Sequence, residues 1–187
     1  MLKKLLLAAA TLLFLVSAAS AQTFTIDPVH SSANFAVRHM MVSTVKGRFS
    51  EVNGTIVFDE KEPWKCSVKA TINVASITTD NAMRDNHLKT PDFFDAAKYP
   101  TITFVSTKVW KQGGKYFAEG KLTIKNVTKD VILPFELNTA MAQGKKHMGV
   151  ETTLHIDRLD YNVSFDPTGT TVGKDVTIEI DLEAIAG

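Results

Sequence analysis

Asp175-Val176-Thr177-Ile178-Glu179-Ile180-Asp181-Leu182 alternates polar and apolar side chains without a break. Successive side chains of a strand point to opposite faces, so this stretch has a dry face of Val176, Ile178, Ile180 and Leu182 and a wet one opposite. The same period of two recurs upstream. Val150, Thr152, Leu154 and Ile156 oppose Glu151, Thr153, His155 and Asp157, and Val131, Leu133, Phe135 and Leu137 oppose Ile132, Pro134 and Glu136. Tyr116, Ala118, Gly120, Leu122 and Ile124 oppose Phe117, Glu119, Lys121, Thr123 and Lys125. Trp64, Cys66, Val68, Ala70, Ile72 and Val74 oppose Lys65, Ser67, Lys69, Thr71 and Asn73. One dry and one wet face per strand is the pattern of antiparallel sheet.

Strands are expected at about 24–39, 46–58, 64–77, 101–109, 115–125, 128–140, 146–159 and 174–185, with turn signals at Asn53-Gly54, Gln112-Gly113-Gly114, Asn126 with Thr128, and Gln143-Gly144. Many of these strands exceed the usual length of about five or six residues. Long strands joined by short turns suit a meander that closes on itself, because closure removes exposed edges. The expected fold is all-β, an eight-stranded antiparallel lipocalin-like β-barrel, with a two-sheet sandwich as the alternative. An eight-stranded interior can be filled by side chains or hold one small ligand.

Only the segment from Thr79 to Pro100 does not read as strand and turn. Its apolar residues Met83, Leu88, Phe93 and Phe94 are irregularly spaced, and Pro91 and Pro100 divide it. A short helical insert is expected at about 80–100, capped by Asp80 or Asn81, with a second cap at Thr90 or Asp92. A connection of this length inside a compact chain is usually functional or a lid.

Lys3 and Lys4 precede an apolar run from Leu5 to Val16, and Ala19-Ser20-Ala21 offers small residues for cleavage. This predicts a signal peptide over 1–21, cleaved after Ala21, and a single exported, soluble domain over 22–187. The apolar run is short for a membrane span. Without Lys3 and Lys4, 19 basic side chains face 20 acidic ones, and the interspersed signs leave no nucleic-acid footprint. The single cysteine, Cys66, precludes an intrachain disulfide and reads as a buried structural thiol.

The five histidines fit no zinc spacing, and no metal or cofactor is expected. His147 and His155 would stand more than about 25 Å apart along a strand, too far to share an ion. Within the insert, Arg84-Asp85-Asn86-His87 permits two readings. Arg84 and Asp85 can anchor the insert, or Arg84, Asp85 and His87 can meet a head group at the barrel mouth; an enzyme reading would instead have Asp85 orient His87 as an acid–base pair. No Gly-x-Ser-x-Gly elbow supplies a nucleophile, and the Gly169–Gly173 stretch reads as a long turn, not a phosphate loop. Aromatics are placed on strands at Phe35, Phe49, Phe58, Phe104, Phe117, Phe135 and Phe165. Core packing explains them, but an open lumen lined by such residues would take a hydrocarbon chain. Inward phase and bulk single out Phe35, Phe49, Ile72, Phe94, Phe104, Leu122, Phe135 and Leu154 as lining candidates.

Several motifs resemble the YceI-like proteins: Phe24-Thr25-Ile26-Asp27 with His30-Ser31, Phe35-Ala36-Val37-Arg38-His39, Gly47-Arg48-Phe49, Arg84-Asp85-Asn86-His87-Leu88, Asp92-Phe93-Phe94-Asp95 and Val172-Gly173-Lys174-Asp175-Val176. Arg158-Leu159-Asp160-Tyr161 is similar to the family's Arg-x-Asp-Phe segment, with tyrosine for phenylalanine and Asn162 where glycine is usual. The resemblance spans the mature chain. It implies a periplasmic, lipocalin-like barrel whose tunnel binds a polyisoprenoid or other long-chain amphiphile, for transport, storage or isoprenoid quinone metabolism, in some members with a stress role. It implies no enzyme activity. The expected partners are the lipid and, transiently, a membrane; a homodimer would form through a wall or an end, since a closed barrel has no free edge. The rival expectations are a filled barrel acting as a ligand-free interaction or stress protein, and an enzyme working on a lipid head group.

Overall fold

The computed structural model describes residues 21–187, so all of the expected signal peptide except Ala21 lies outside the described residues. The chain forms β1 (Gln22–Ile26), β2 (Ser32–His39), β3 (Ser43–Phe49), β4 (Val52–Phe58), β5 (Ser67–Asn73), β6 (Ile77–Thr78), α1 (Ala82–Leu88), β7 (Thr101–Gln112), β8 (Lys115–Ile124), β9 (Val127–Ala142), β10 (Lys145–Asp157) and β11 (Val172–Ala186). These make a closed, eight-stranded antiparallel barrel, which settles the choice against a sandwich.

Eleven strand segments fill eight wall positions because three expected strands are interrupted. β1 and β2 both run along β11, with Phe24 opposite Ala186 and Phe35 opposite Ile178. Between them the ladder ends at Asp27, whose N–H still donates to the Glu183 carbonyl at 2.8 Å. The Asp27 carboxylate accepts the Val29 N–H at 2.9 Å, and Pro28 has no N–H to offer. The chain returns at Ser31, whose hydroxyl donates to the Glu183 carbonyl at 3.2 Å and accepts the Glu183 N–H at 3.0 Å. β3 and β4 share the second position, β3 between β2 and β6 and β4 between β1 and β5. In the third, the Asn73 side chain accepts the Ala75 N–H and turns Val74–Ser76 into a 3-10 step between β5 and β6.

Two local expectations are corrected. Trp64 lies in a 3-10 turn, Pro63–Lys65, and is 69 % exposed rather than on a dry face, since the proline ends the ladder there. Asn53-Gly54 is no turn but part of β4. A Cβ on Gly54 would sit 2.1 Å from the Lys69 carbonyl oxygen, so this glycine allows β4 to press against β5. The remaining signals do mark reversals, at Gly113-Gly114, Lys125-Asn126 and Gln143-Gly144.

Strand direction sorts the connections. The 40–42 turn, the 79–100 insert, the 125–126 turn and the 158–171 segment gather at one end, here called upper. The start of β1 and the end of β11, the 59–66 connection and the 113–114 and 143–144 turns occupy the lower end.

Candidate functional site

The barrel encloses an apolar cavity of about 200 Å³. The expected dry faces supply its wall: Val68, Ala70 and Ile72 of β5, Leu122 and Ile124 of β8, Leu133 and Phe135 of β9, Leu154 and Ile156 of β10, and Ile178, Ile180 and Leu182 of β11. Phe35, Phe49, Ile72, Phe94, Phe104, Leu122, Phe135 and Leu154 all face it. Room for one ring comes from Gly47, where a Cβ would lie 2.4 Å from the tip of Phe35. Of the other aromatics placed on strands, Phe117 faces outward and stacks on Trp110 at 5.3 Å, and Phe165 belongs to the segment after β10 rather than to a strand.

Below the cavity, Phe24, Met148 and Ala184 are fully buried and Tyr116 stacks on Phe135 at 5.4 Å, while a polar cleft of about 440 Å³ at this end shares Phe58, Phe135 and Leu137 with the cavity wall. Above it, Leu88, Phe93 and Phe94 of the insert and Tyr161 and Val163 of the 158–171 segment form the cover. Phe94 meets Phe49 edge-on at 5.5 Å, and Phe49 lies 5.9 Å from Phe35. The cover is therefore continuous with the wall.

Polar contacts hold this cover from outside. In the insert, Asn81 caps α1 by accepting the Arg84 N–H, as expected; no second helix follows, and residues 90–99 run as turns. The Asp85 carboxylate accepts the Thr79 N–H at 2.8 Å and both the Thr79 and Thr78 hydroxyls. Arg84 Nε donates to Thr79 Oγ1 at 2.7 Å and its Nη2 to the Thr79 carbonyl at 2.7 Å. Both side chains anchor the insert and neither reaches the cavity. The expected acid–base pairing of Asp85 with His87 is absent. His87 Nε2 instead pairs with Asp92 at 2.8 Å, in the open, and its ring lies edge-on to Phe93 and Phe165 at 5.1 and 5.2 Å. Lys125 ties the two halves of the cover together, donating to the carbonyls of Phe93 and Asn162 at 2.7 Å each.

Arg158 is the buried charge of the upper end, 4 % exposed. Its guanidinium donates only to carbonyls: Gly173 at 2.8 Å, Val163 at 2.7 Å, and Asp166 and Val172 at 2.8 and 2.6 Å. Burial pushes its pKa down, while the charges of Asp166 and Asp157 work the other way. Nothing in the alternation marks Arg158 or Lys125 as keystones. Both stand at strand ends, where a long cation ordinarily reads as solvated.

Asp166 supports the same knot. Its carboxyl is held down at about 2 by the Thr168 hydroxyl and by the Val172 and Thr171 N–H groups, helped by the charge of Arg158. Asp85 is also held low: burial opposes its charge, but the Thr79 and Thr78 hydrogen bonds outweigh that. Both folded pKa values lie below the unfolded value, so their stabilisation is complete above about pH 4 and is lost as pH falls toward 2. Near-ultraviolet circular dichroism between pH 5 and 2 should report loosening of the upper end, and Asp166→Asn should flatten that profile. An unchanged profile in the variant would place the acid sensitivity elsewhere.

Among the described residues, the remaining polar groups form no second centre facing the cavity. Cys66 is buried, its sulfur accepting the Asp59 N–H at 3.2 Å and donating to the Asp59 carbonyl at 3.4 Å, and burial pushes its thiol pKa up. Asp27, His30 and Glu183 bring ligand atoms within 4.8 Å of one another on the outer wall. There His30 already pairs with Asp27 and His147 with Glu183, at 2.8 and 2.7 Å.

The family model of the YceI-like domain matches residues 24–184. The chain is 37 % identical over 179 residues to Protein YceI of Escherichia coli O157:H7, covering 92 % of each. The structure resembles Burkholderia cenocepacia BcnA with a TM-score of 0.76 at 28 % identity, over 84 % of this chain and 98 % of the other. It also shares the fold of a polyisoprenoid binding domain from Saccharophagus degradans, with a TM-score of 0.68 at 15 % identity over 89 and 99 % of the two chains. By sequence and by architecture, this chain belongs to the YceI-like family.

Proposed function

We propose that this protein is exported to the periplasm and carries a polyisoprenoid or similar long-chain amphiphile in its barrel, for transport, storage or quinone metabolism, without catalysing a reaction. The observation that carries the reading is a cavity walled by apolar side chains and covered above by a cross-tied insert. Each methylene moved from water into such a wall contributes about 0.8 kcal/mol, so a chain of ten contributes about 8 kcal/mol with no specific polar contact. The fold shared with a domain named for polyisoprenoid binding is compatible with this. The acid–base alternative loses its geometry, because Asp85 is engaged by Thr78 and Thr79 and His87 faces away from the cavity.

One observation favours the filled-barrel reading: about 200 Å³ is less than the roughly 300–1,000 Å³ of drug-sized pockets. A long chain therefore needs more room than this, and Phe94 moving off Phe49 would supply it at the cover. Native mass spectrometry of protein purified from its own periplasm, followed by organic extraction, decides between the readings. A stoichiometric isoprenoid is the expected result. Empty protein that also refuses added polyprenols would leave the filled barrel.

A further inference from the structure

The hairpin between β2 and β3 ends in His39-Met40-Met41-Val42, a turn closed by the Val42 N–H donating to the His39 carbonyl at 3.0 Å. Its two central residues are left-handed, Met40 at φ 50° and Met41 at φ 57°. Asn-Gly or Asp-Gly ordinarily makes such a turn, because a Cβ is disfavoured in that region. Two methionines are therefore poor choices for the backbone. They are poor for the surface too: Met40, Met41 and Val42 are 60, 72 and 82 % exposed. Strain and exposed apolar surface at one tip point to a contact made with something else.

Charge indicates what that something is. On the outer face of the hairpin, Arg38 stands opposite Thr44, Lys46 opposite Ala36 and Arg48 opposite Asn34. All three cations are exposed, and among the described residues none pairs with a carboxylate. From Pro28 to Ser50 the chain has no Asp or Glu. The acids on the neighbouring strand stand apart from these cations: Asp175 registers with Asp157 of β10, Glu179 with Asn34, one strand across from Arg48, and Asp181 with Ser32, further down the wall. The inner face of the same hairpin carries Phe35 and Val37 of the cavity wall, and the Met40 N–H donates to the Thr171 carbonyl at 2.8 Å, joining the tip to the cover.

We infer that the 38–48 hairpin is a membrane-docking element for an anionic phospholipid leaflet. Met40, Met41 and Val42 enter the acyl boundary, while Arg38, Lys46 and Arg48 lie among the phosphates. Its purpose, bringing the covered end of the cavity to a bilayer where cargo enters and leaves, rests on the carrier reading. Docking itself does not.

The test is co-sedimentation of the mature protein with phosphatidylglycerol–phosphatidylethanolamine vesicles and with phosphatidylcholine vesicles. Binding to the anionic vesicles is expected, at least tenfold weaker on phosphatidylcholine or in 0.5 M salt. Met40→Asn with Met41→Gly suits the turn better, so its thermal midpoint should hold or rise while vesicle binding falls at least tenfold. Lys46→Glu with Arg48→Glu should lose binding to the anionic vesicles alone. Equal binding by the tip variant overturns the inference. So does a wild-type protein that ignores vesicles, or one that is a dimer which the tip variant turns into a monomer. Lipid content by native mass spectrometry on the same samples separates the two ideas: lipid-loaded protein that ignores vesicles sinks docking alone, and vesicle-bound protein that never holds lipid sinks the carrier alone.

Discussion

Arg158→Met should lower the stability of the protein by about 3–5 kcal/mol, read as a shift of the urea midpoint at unchanged slope. Four carbonyls, those of Val163, Asp166, Val172 and Gly173, accept from this one guanidinium, and of these the Asp166 carbonyl also holds the Gly169 N–H at 3.1 Å. A buried acceptor left without a donor costs roughly 1–3 kcal/mol, and relaxation and entering water recover part of the sum. Stabilities of about 5–15 kcal/mol are usual, so the loss is a large share of the whole. Arg158→Lys keeps the charge but concentrates its donors at one point, and should recover only a minor part. A loss below about 1 kcal/mol for Arg158→Met would mean that the 158–173 carbonyls find other partners.

Phe104→Asp should abolish lipid uptake. Phe104 is 9 % exposed and faces the cavity, so the new carboxylate would meet cargo with no compensating donor. An unpaired polar group against hydrocarbon costs several kcal/mol, on the order of a hundredfold or more in affinity. The same substitution strains the fold, so Leu154→Trp is its companion. Leu154 lines the cavity and is only partly buried, and added bulk there fills space without introducing charge. That variant should keep its thermal midpoint and lose uptake of long polyprenols, measured by native mass spectrometry after incubation. Undiminished uptake by folded Leu154→Trp would move the binding path away from β10.

The barrel was legible because inward and outward residues alternate cleanly on β8 through β11, and burial follows that phase from Ala118 to Leu182. The breaks in the first three wall strands were not legible. Asp27-Pro28 and Asn73 act through side-chain caps and a missing donor, and at Ser50-Glu51 the Glu51 N–H goes to the Ser76 hydroxyl at 3.2 Å, all of which leaves the period of two almost undisturbed. Asn53-Gly54 misled for the opposite reason: a pair that usually marks a turn serves here to bring two backbones together. In the cover, Asp85 and Arg84 stood out by their chemistry, and their role as anchors follows from Thr78 and Thr79, six or seven residues away from Asp85. The resemblance marked the Arg158 segment without giving its role, and alternation marked neither Arg158 nor Lys125, since the carbonyl oxygens they bind leave no trace in side-chain pattern.

The seam of the barrel has a consequence for its biogenesis. Phe24 pairs with Ala186, so wall closure joins the first strand of the domain to the last. Contacts this distant in sequence are slow to form, and a nascent chain still missing β11 cannot make them at all. It can collapse, but both β1 and β10 keep an unpaired edge until synthesis is finished. For the export proposed here, that delay is useful. On that proposal, the topology itself would postpone the native state and keep the polypeptide threadable, with closure left to the far side of the membrane.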